Sequence, residues 1–161
     1  MEAEKAYQKM TESLLLFLVS GLFLGLSTYI GLTLLESLSP IETYFDQISV
    51  ATTLLISSSA GFAPLIAGIA GVYLGYELEG GLTNMTLASF TSIFGYFLLN
   101  ILALALALQS FSGDIYLAEF GNPLLIFYST LALENSIVYF AIPTMIAGII
   151  GSYLGSMLDS D

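Results

Sequence analysis

Along the chain, long runs without a charge alternate with short polar stretches, and the periodicity changes from run to run. Residues 1–13, MEAEKAYQKMTES, are polar, and Leu14–Leu35 then supplies 22 residues with no charge. A spanning helix needs about 20 apolar residues, whereas a signal-peptide core has about 7–15, so Leu14–Leu35 reads as a first span retained in the protein. Ser39, Pro40 and Glu42 form an S-x-x-E capping box with proline at the first helical position. Ile41, Tyr44, Phe45, Ile48, Ala51 and Leu55 follow at spacings of three and four, which predicts a short amphipathic helix on the outer membrane surface. Ser57, Ser58, Ser59, Gly61 and Pro64 then loosen the backbone. A second span is expected from near Ser58 to Leu78, bent at Pro64.

Glu77, Glu79, Gly80, Gly81 and Asn84 have the composition of a turn, and Leu87–Leu108 is the third span. After the loop SGDIYLAEFGNP, Asn122 and Pro123 repeat the cap-then-proline start, and Pro143 precedes a second glycine-rich helix much as Pro64 precedes the first. The stretch IAGIAGVYLGYEL, Ile66–Leu78, returns as IAGIIGSYLGSML, Ile146–Leu158, with nine of thirteen positions identical. Such self-similarity reads as a tandem duplication with halves 14–80 and 87–161, set against convergence on one packing solution in segments that use few residue types. Two spans per half would make the repeat parallel.

Within the repeated stretch, Gly68, Gly71 and Gly75 recur at intervals of three and four, as do Gly148, Gly151 and Gly155, so each set lines one helix face. Missing side chains let backbones approach, and the expected use is a glycine-zipper-like packing seam between the second and fourth spans. A substrate passage lined by backbone is the alternative. Gly21 and Gly25, with Ser20 and Ser27, mark a smaller seam on the first span or a face for a neighbouring subunit. Tyr73 and Tyr153 fall at matching ends of their segments, where a phenol suits headgroup level.

Composition narrows the class. Apolar residues make up 57% of the 161 and charged residues 9%, with a mean hydropathy of +0.90. A soluble domain carries about 25% charged residues, so a multi-pass membrane protein is expected. Cysteine, histidine, arginine and tryptophan are absent, which removes the usual ligand sets for zinc, haem and iron-sulfur clusters and the usual general bases. No metal, no cofactor and no catalytic residue is assigned, and enzymatic activity is not expected. Two lysines against thirteen acids also argue against nucleic-acid partners. The net charge of −11 has two readings: a high-salt habitat, favoured because the acids are spread over every loop, or an acidic vestibule for cations.

Two polar residues stand apart as a candidate intramembrane site. Asn100 lies near the middle of the third span, where an amide must find partners. Glu134 is the only acid far from an obvious loop, though position 54, its repeat counterpart, is Leu. The sequence therefore predicts an all-α integral membrane fold: a 13-residue cytoplasmic segment carrying Lys5 and Lys9, then one four-span domain over 14–161, in two tandem hairpin-like halves. Each half has a short outer amphipathic helix and a glycine-rich closing helix, and both termini are cytoplasmic in a cell-membrane protein. The expected function is a non-catalytic structural or assembly subunit, in contact with the lipid bilayer and with copies of itself or other membrane subunits. A small oligomeric transporter or channel for an ion or small solute is the alternative.

Overall fold

The computed structural model describes residues 2–38, 44–76, 81–108 and 140–158, and these are helical almost throughout. Four helices result: α1 Glu2–Leu38, α2 Tyr44–Gly75, α3 Gly81–Leu108 and α4 Ile142–Leu158. The capping box at residues 39–42, the turn residues Glu77, Glu79 and Gly80, the Asn122–Pro123 start and Glu134 lie outside the described residues.

Three boundaries differ from the sequence reading. The polar segment at the start is already helical, so α1 carries charge on its first three turns, an apolar run beyond them, and Glu36 in its last turn. The expected surface helix and second span are one unbroken helix, α2, which runs 32 residues through Ser57–Ser59, Gly61 and Pro64. Those residues break helices where water can take over the freed backbone groups. Among packed apolar helices an unsatisfied backbone group costs several kcal/mol, whereas a proline removes only one helical bond, so continuing the helix is the cheaper solution. Gly81 and Asn84 belong to α3 and not to a turn, and Asn84 is buried. Before α4, Phe140 and Ala141 form a wide π-type turn, and Pro143 sits in the first helical turn, where its missing N–H costs nothing.

Contacts fix the helix directions. Phe17 packs over Gly95, Gly21 meets the Leu99 backbone and Gly25 meets Ala103, so α1 and α3 run parallel in constant register. Gly71 and Gly75 advance along Gly148 and Ser152, so α2 and α4 are parallel too. Lys9 reaches Tyr73 and Tyr76 while Phe23 stacks on Phe62 with ring centroids 6.3 Å apart, which makes α1 and α2 antiparallel. α2 and α3 each pack against all three other helices and occupy the middle of the bundle.

On the outer faces the residue distribution is inverted relative to a protein folded in water. Outward positions of α1 hold Leu15, Val19, Leu22, Phe23, Leu26, Ile30 and Leu34, and the outer face of α4 carries Ile142, Ile146, Ile150 and Leu154. The inner face of α4 consists of Thr144, Gly148, Gly151, Ser152 and Gly155. A core of Phe17, Leu24, Leu32, Ile66, Tyr96, Leu99 and Leu104, interleaved with alanines, fills the centre. On α4, large apolar side chains outside and small or hydroxylic ones inside let its backbone close up on its neighbours. α1 over Glu4–Leu34 and α3 over Gly81–Ala107 are long and apolar enough to cross a membrane; Ser59–Gly75 and Ile142–Leu158 are shorter apolar stretches.

Candidate functional site

The two glycine segments meet where α2 lies on α4. A Cβ built on Gly71 would strike the Gly148 carbonyl oxygen and stand 2.9 Å from Ser152 N; one on Gly75 would strike the Ser152 carbonyl and stand 2.9 Å from its Cα. From the other side, a Cβ on Gly151 would strike the Gly68 carbonyl and lie 3.0 Å from Val72 N, and one on Gly155 would strike the Val72 carbonyl and lie 3.0 Å from Tyr76 N. Gly71 and Gly151 are partners under the eighty-residue offset of the repeat, as are Gly68 and Gly148, and Val72 and Ser152. The contact is therefore reciprocal: each segment offers its glycine to the backbone position at which it receives the other's. Two of the six glycines play other parts. Gly68 has only an ordinary contact, 3.9 Å from the Ala147 carbonyl, and the Cβ direction of Gly148 points at Ser92 and the Ala88 carbonyl of α3.

Gly21 and Gly25 make the corresponding close approach between α1 and α3, with Ala103 Cα 2.9 Å from a Cβ at Gly25. Ser20 is buried there, whereas Ser27 is exposed and its hydroxyl donates to the Phe23 carbonyl. Asn100 is buried, and its Nδ2 donates to the Tyr96 carbonyl at 2.8 Å, one turn back on its own helix. Among the described residues no three acidic side chains converge on a metal position.

Lys9 has a role that sequence reasoning limited to topology. It is only 6% exposed, and its Nζ donates to the carbonyls of Tyr73, at 3.2 Å, and Tyr76, at the end of α2. A helix leaves its last carbonyls without intrahelical donors and with partial negative charge, so an ammonium from a neighbouring helix satisfies both needs. The charge also lies 4.9 Å from the Tyr73 ring centroid and 5.8 Å from that of Tyr76. The Tyr73 hydroxyl donates to Glu12, which also accepts from Gln8 at 2.9 Å. Glu12 precedes the apolar run, and these two hydrogen bonds, with a smaller contribution from the Lys9 charge, hold its carboxyl below the ordinary range.

Two sets of hydroxyls stand out among the described residues. Thr11, Ser27, Thr28, Thr33, Ser37, Thr86, Thr144 and Ser156 each donate to a carbonyl three or four residues earlier on the same helix. Ser13, Thr91 and Ser152 are buried and have no hydrogen-bond partner. A buried hydroxyl left unsatisfied costs about 1–3 kcal/mol, so three together cost roughly 3–9 kcal/mol. That is comparable to the whole net stability of a domain, about 5–15 kcal/mol. Spacing offered a partial signal for this layer: Lys9, Ser13 and Phe17 recur every four residues, ahead of Ser20 and Gly21, on the face α1 turns inward.

No protein-family model, curated protein or solved structure matches the chain.

Proposed function

We propose that this chain is a multi-pass protein of the cell membrane, spanning the bilayer four times with both termini in the cytoplasm, and that it serves as a non-catalytic structural or assembly subunit. The observation that carries this reading is the inverted packing. α1 turns seven large apolar side chains outward along more than five helical turns, and α4 buries only Thr144, Ser152 and glycines while exposing isoleucines and leucines. In water, an apolar band of that length would drive aggregation. In lipid it costs nothing, and association between helices then relies on close backbone packing of the kind Gly71, Gly75, Gly151 and Gly155 make.

The interior supports a structural role over transport. Phe17, Leu99 and Ala103 are fully buried at mid-bundle, and Tyr96 nearly so, which leaves apolar side chains where a polar path would have to pass. Asn100, the best candidate for a ligand contact, gives one of its two amide hydrogens to its own helix. The two tandem hairpin-like halves fit the parallel pairing of α1 with α3 and of α2 with α4. The charge of −11 fits a high-salt setting, and self-association or other membrane subunits would cover whichever outward faces lipid does not.

Two measurements test the reading. Carbonate-washed membranes should retain the protein, and proteins that copurify in mild detergent should be membrane subunits or further copies of this chain. Release into the soluble fraction would refute the membrane reading. Selective ion or solute flux in reconstituted vesicles, lost on Glu134→Gln, would replace the structural role by the transport one.

A further inference from the structure

We propose that the end of the bundle where α1 and α3 begin encloses an internal water site, bridged by Ser13 and Thr91 and bordered by Ser152. The constant register of the parallel pair carries the argument. Phe17 packs over Gly95, and one turn toward the start of each helix brings Ser13 opposite Thr91. Both are 2% exposed and both hydroxyls lack a partner. On α4, Gly148 abuts Ser92 and the Ala88 carbonyl of α3, and Ser152, 1% exposed and also unpartnered, follows one turn later toward the same end. Lys9 and Asn84 are buried at this end as well, so several polar side chains gather here.

The contrast with the other hydroxyls is the second line of argument. A serine or threonine in a helix can donate to the carbonyl a turn behind it, and eight hydroxyls among the described residues do so. Ser13, Thr91 and Ser152 forgo that bond although they are buried, at a cost that a further partner would offset. The partner must both donate and accept, because a hydroxyl does both. Water has that chemistry, is small enough for a closely packed bundle, and settles where several polar groups converge. The helix ends give an anion no net attraction, because the carbonyl ends of α2 and α4 share this end with the N–H ends of α1 and α3, and the Lys9 ammonium already donates to the Tyr73 and Tyr76 carbonyls. A metal cation is disfavoured by the Lys9 charge.

The site goes beyond a structural role for the chain, and its test does not depend on that role. The unmodified, isotope-labelled protein in lipid is measured by water-edited solid-state NMR, which reads the build-up of each residue's signal from water protons. Ser13 and Thr91 should build up at least several-fold faster than the equally buried Leu99 and Ala103. Thr91→Val, which keeps the shape and removes the hydroxyl, should cut the transfer to Ser13 by about half or more, since a bridging water needs both partners. Ser13→Ala should do the same at Thr91, and it covers the case in which the Val variant does not fold. Build-up at Ser13 and Thr91 as slow as at Leu99 would overturn the proposal, because the hydroxyls would then be bonded to each other in a dry core. Full transfer to Ser13 in Thr91→Val would equally overturn the shared site.

Discussion

The reciprocal glycine contact yields a quantitative prediction from the smallest perturbation available, a single methyl group. In Gly71→Ala the new Cβ meets the Gly148 carbonyl and stands 2.9 Å from Ser152 N, all of it backbone. Ordinary van der Waals contact begins near 3.4 Å. No side chain can rotate away, so α2 and α4 must separate or slide, and a gap of about 0.5–1 Å forfeits a quarter to a half of each contact's dispersion energy. Overpacking in a well-packed core typically costs about 1–3 kcal/mol. Backbone on both sides places Gly71→Ala and Gly151→Ala toward the upper end, about 2–3 kcal/mol each. The intrinsic preference of a helix for alanine over glycine offsets up to about 1 kcal/mol of this. Gly61→Ala isolates that offset, since a Cβ there meets nothing within 4 Å, and it should stabilise the protein by about 0.5–1 kcal/mol.

The decisive quantity is the coupling. Once Gly71→Ala has parted the helices, the methyl of Gly151→Ala enters space already opened. The double variant should therefore lose less than the sum of the two, by about 1–2 kcal/mol. Reversible unfolding in bicelles, run on the four corners of the cycle with Gly61→Ala alongside, measures it. Strict additivity, or a Gly71→Ala as benign as Gly61→Ala, would refute the argument that these two glycines hold one contact.

Other outcomes are equally concrete. Lys9→Met removes a charged donor from the Tyr73 and Tyr76 carbonyls and should lower stability by about 1.5–3 kcal/mol, whereas Lys5→Met, on the exposed face of α1, should cost under about 1 kcal/mol in the same unfolding assay. The depressed pKa of Glu12 means that its contribution is fully present above the ordinary carboxyl value of 4.5 and is lost as pH falls through the lower, folded value; Tyr73→Phe should flatten that part of the stability profile, and an unchanged profile would remove Tyr73 as the cause. Single cysteines at Glu4, Gly113 and Ser160 of this cysteine-free chain should label from outside intact cells only at position 113, and labelling at 160 would break the four-span topology. Thermal stability in detergent should rise between about 0.1 M and 1 M salt as the screening length shrinks from about 10 Å to about 3 Å, and a flat response would remove the high-salt reading of the −11 charge.

Local patterns by themselves determined the helical class and the two long apolar helices, because an uninterrupted run of apolar residues and a spacing of three and four are properties of neighbours along the chain. They also put Gly68, Gly71 and Gly75 on one face. Which backbone that face meets is a property of neighbours in space, and the structure divides the set: Gly71 and Gly75 turn their open sides onto α4, Gly68 meets it through its carbonyl opposite Gly151, and Gly148 turns its open side to Ser92 of α3. Pro64, Gly61 and the serine triplet read locally as a break, yet α2 passes through them, since a packed apolar setting penalises free backbone groups more than it penalises poor helix formers. The same asymmetry governs the polar residues. Asn100 stood out in sequence and gives an amide hydrogen to the Tyr96 carbonyl of its own helix, whereas Lys9, Ser13, Thr91 and Ser152 looked ordinary and are buried toward one end of the bundle. Burial is what makes a hydroxyl or an ammonium costly to leave unpaired, and only the packing of all four helices decides which of them is buried.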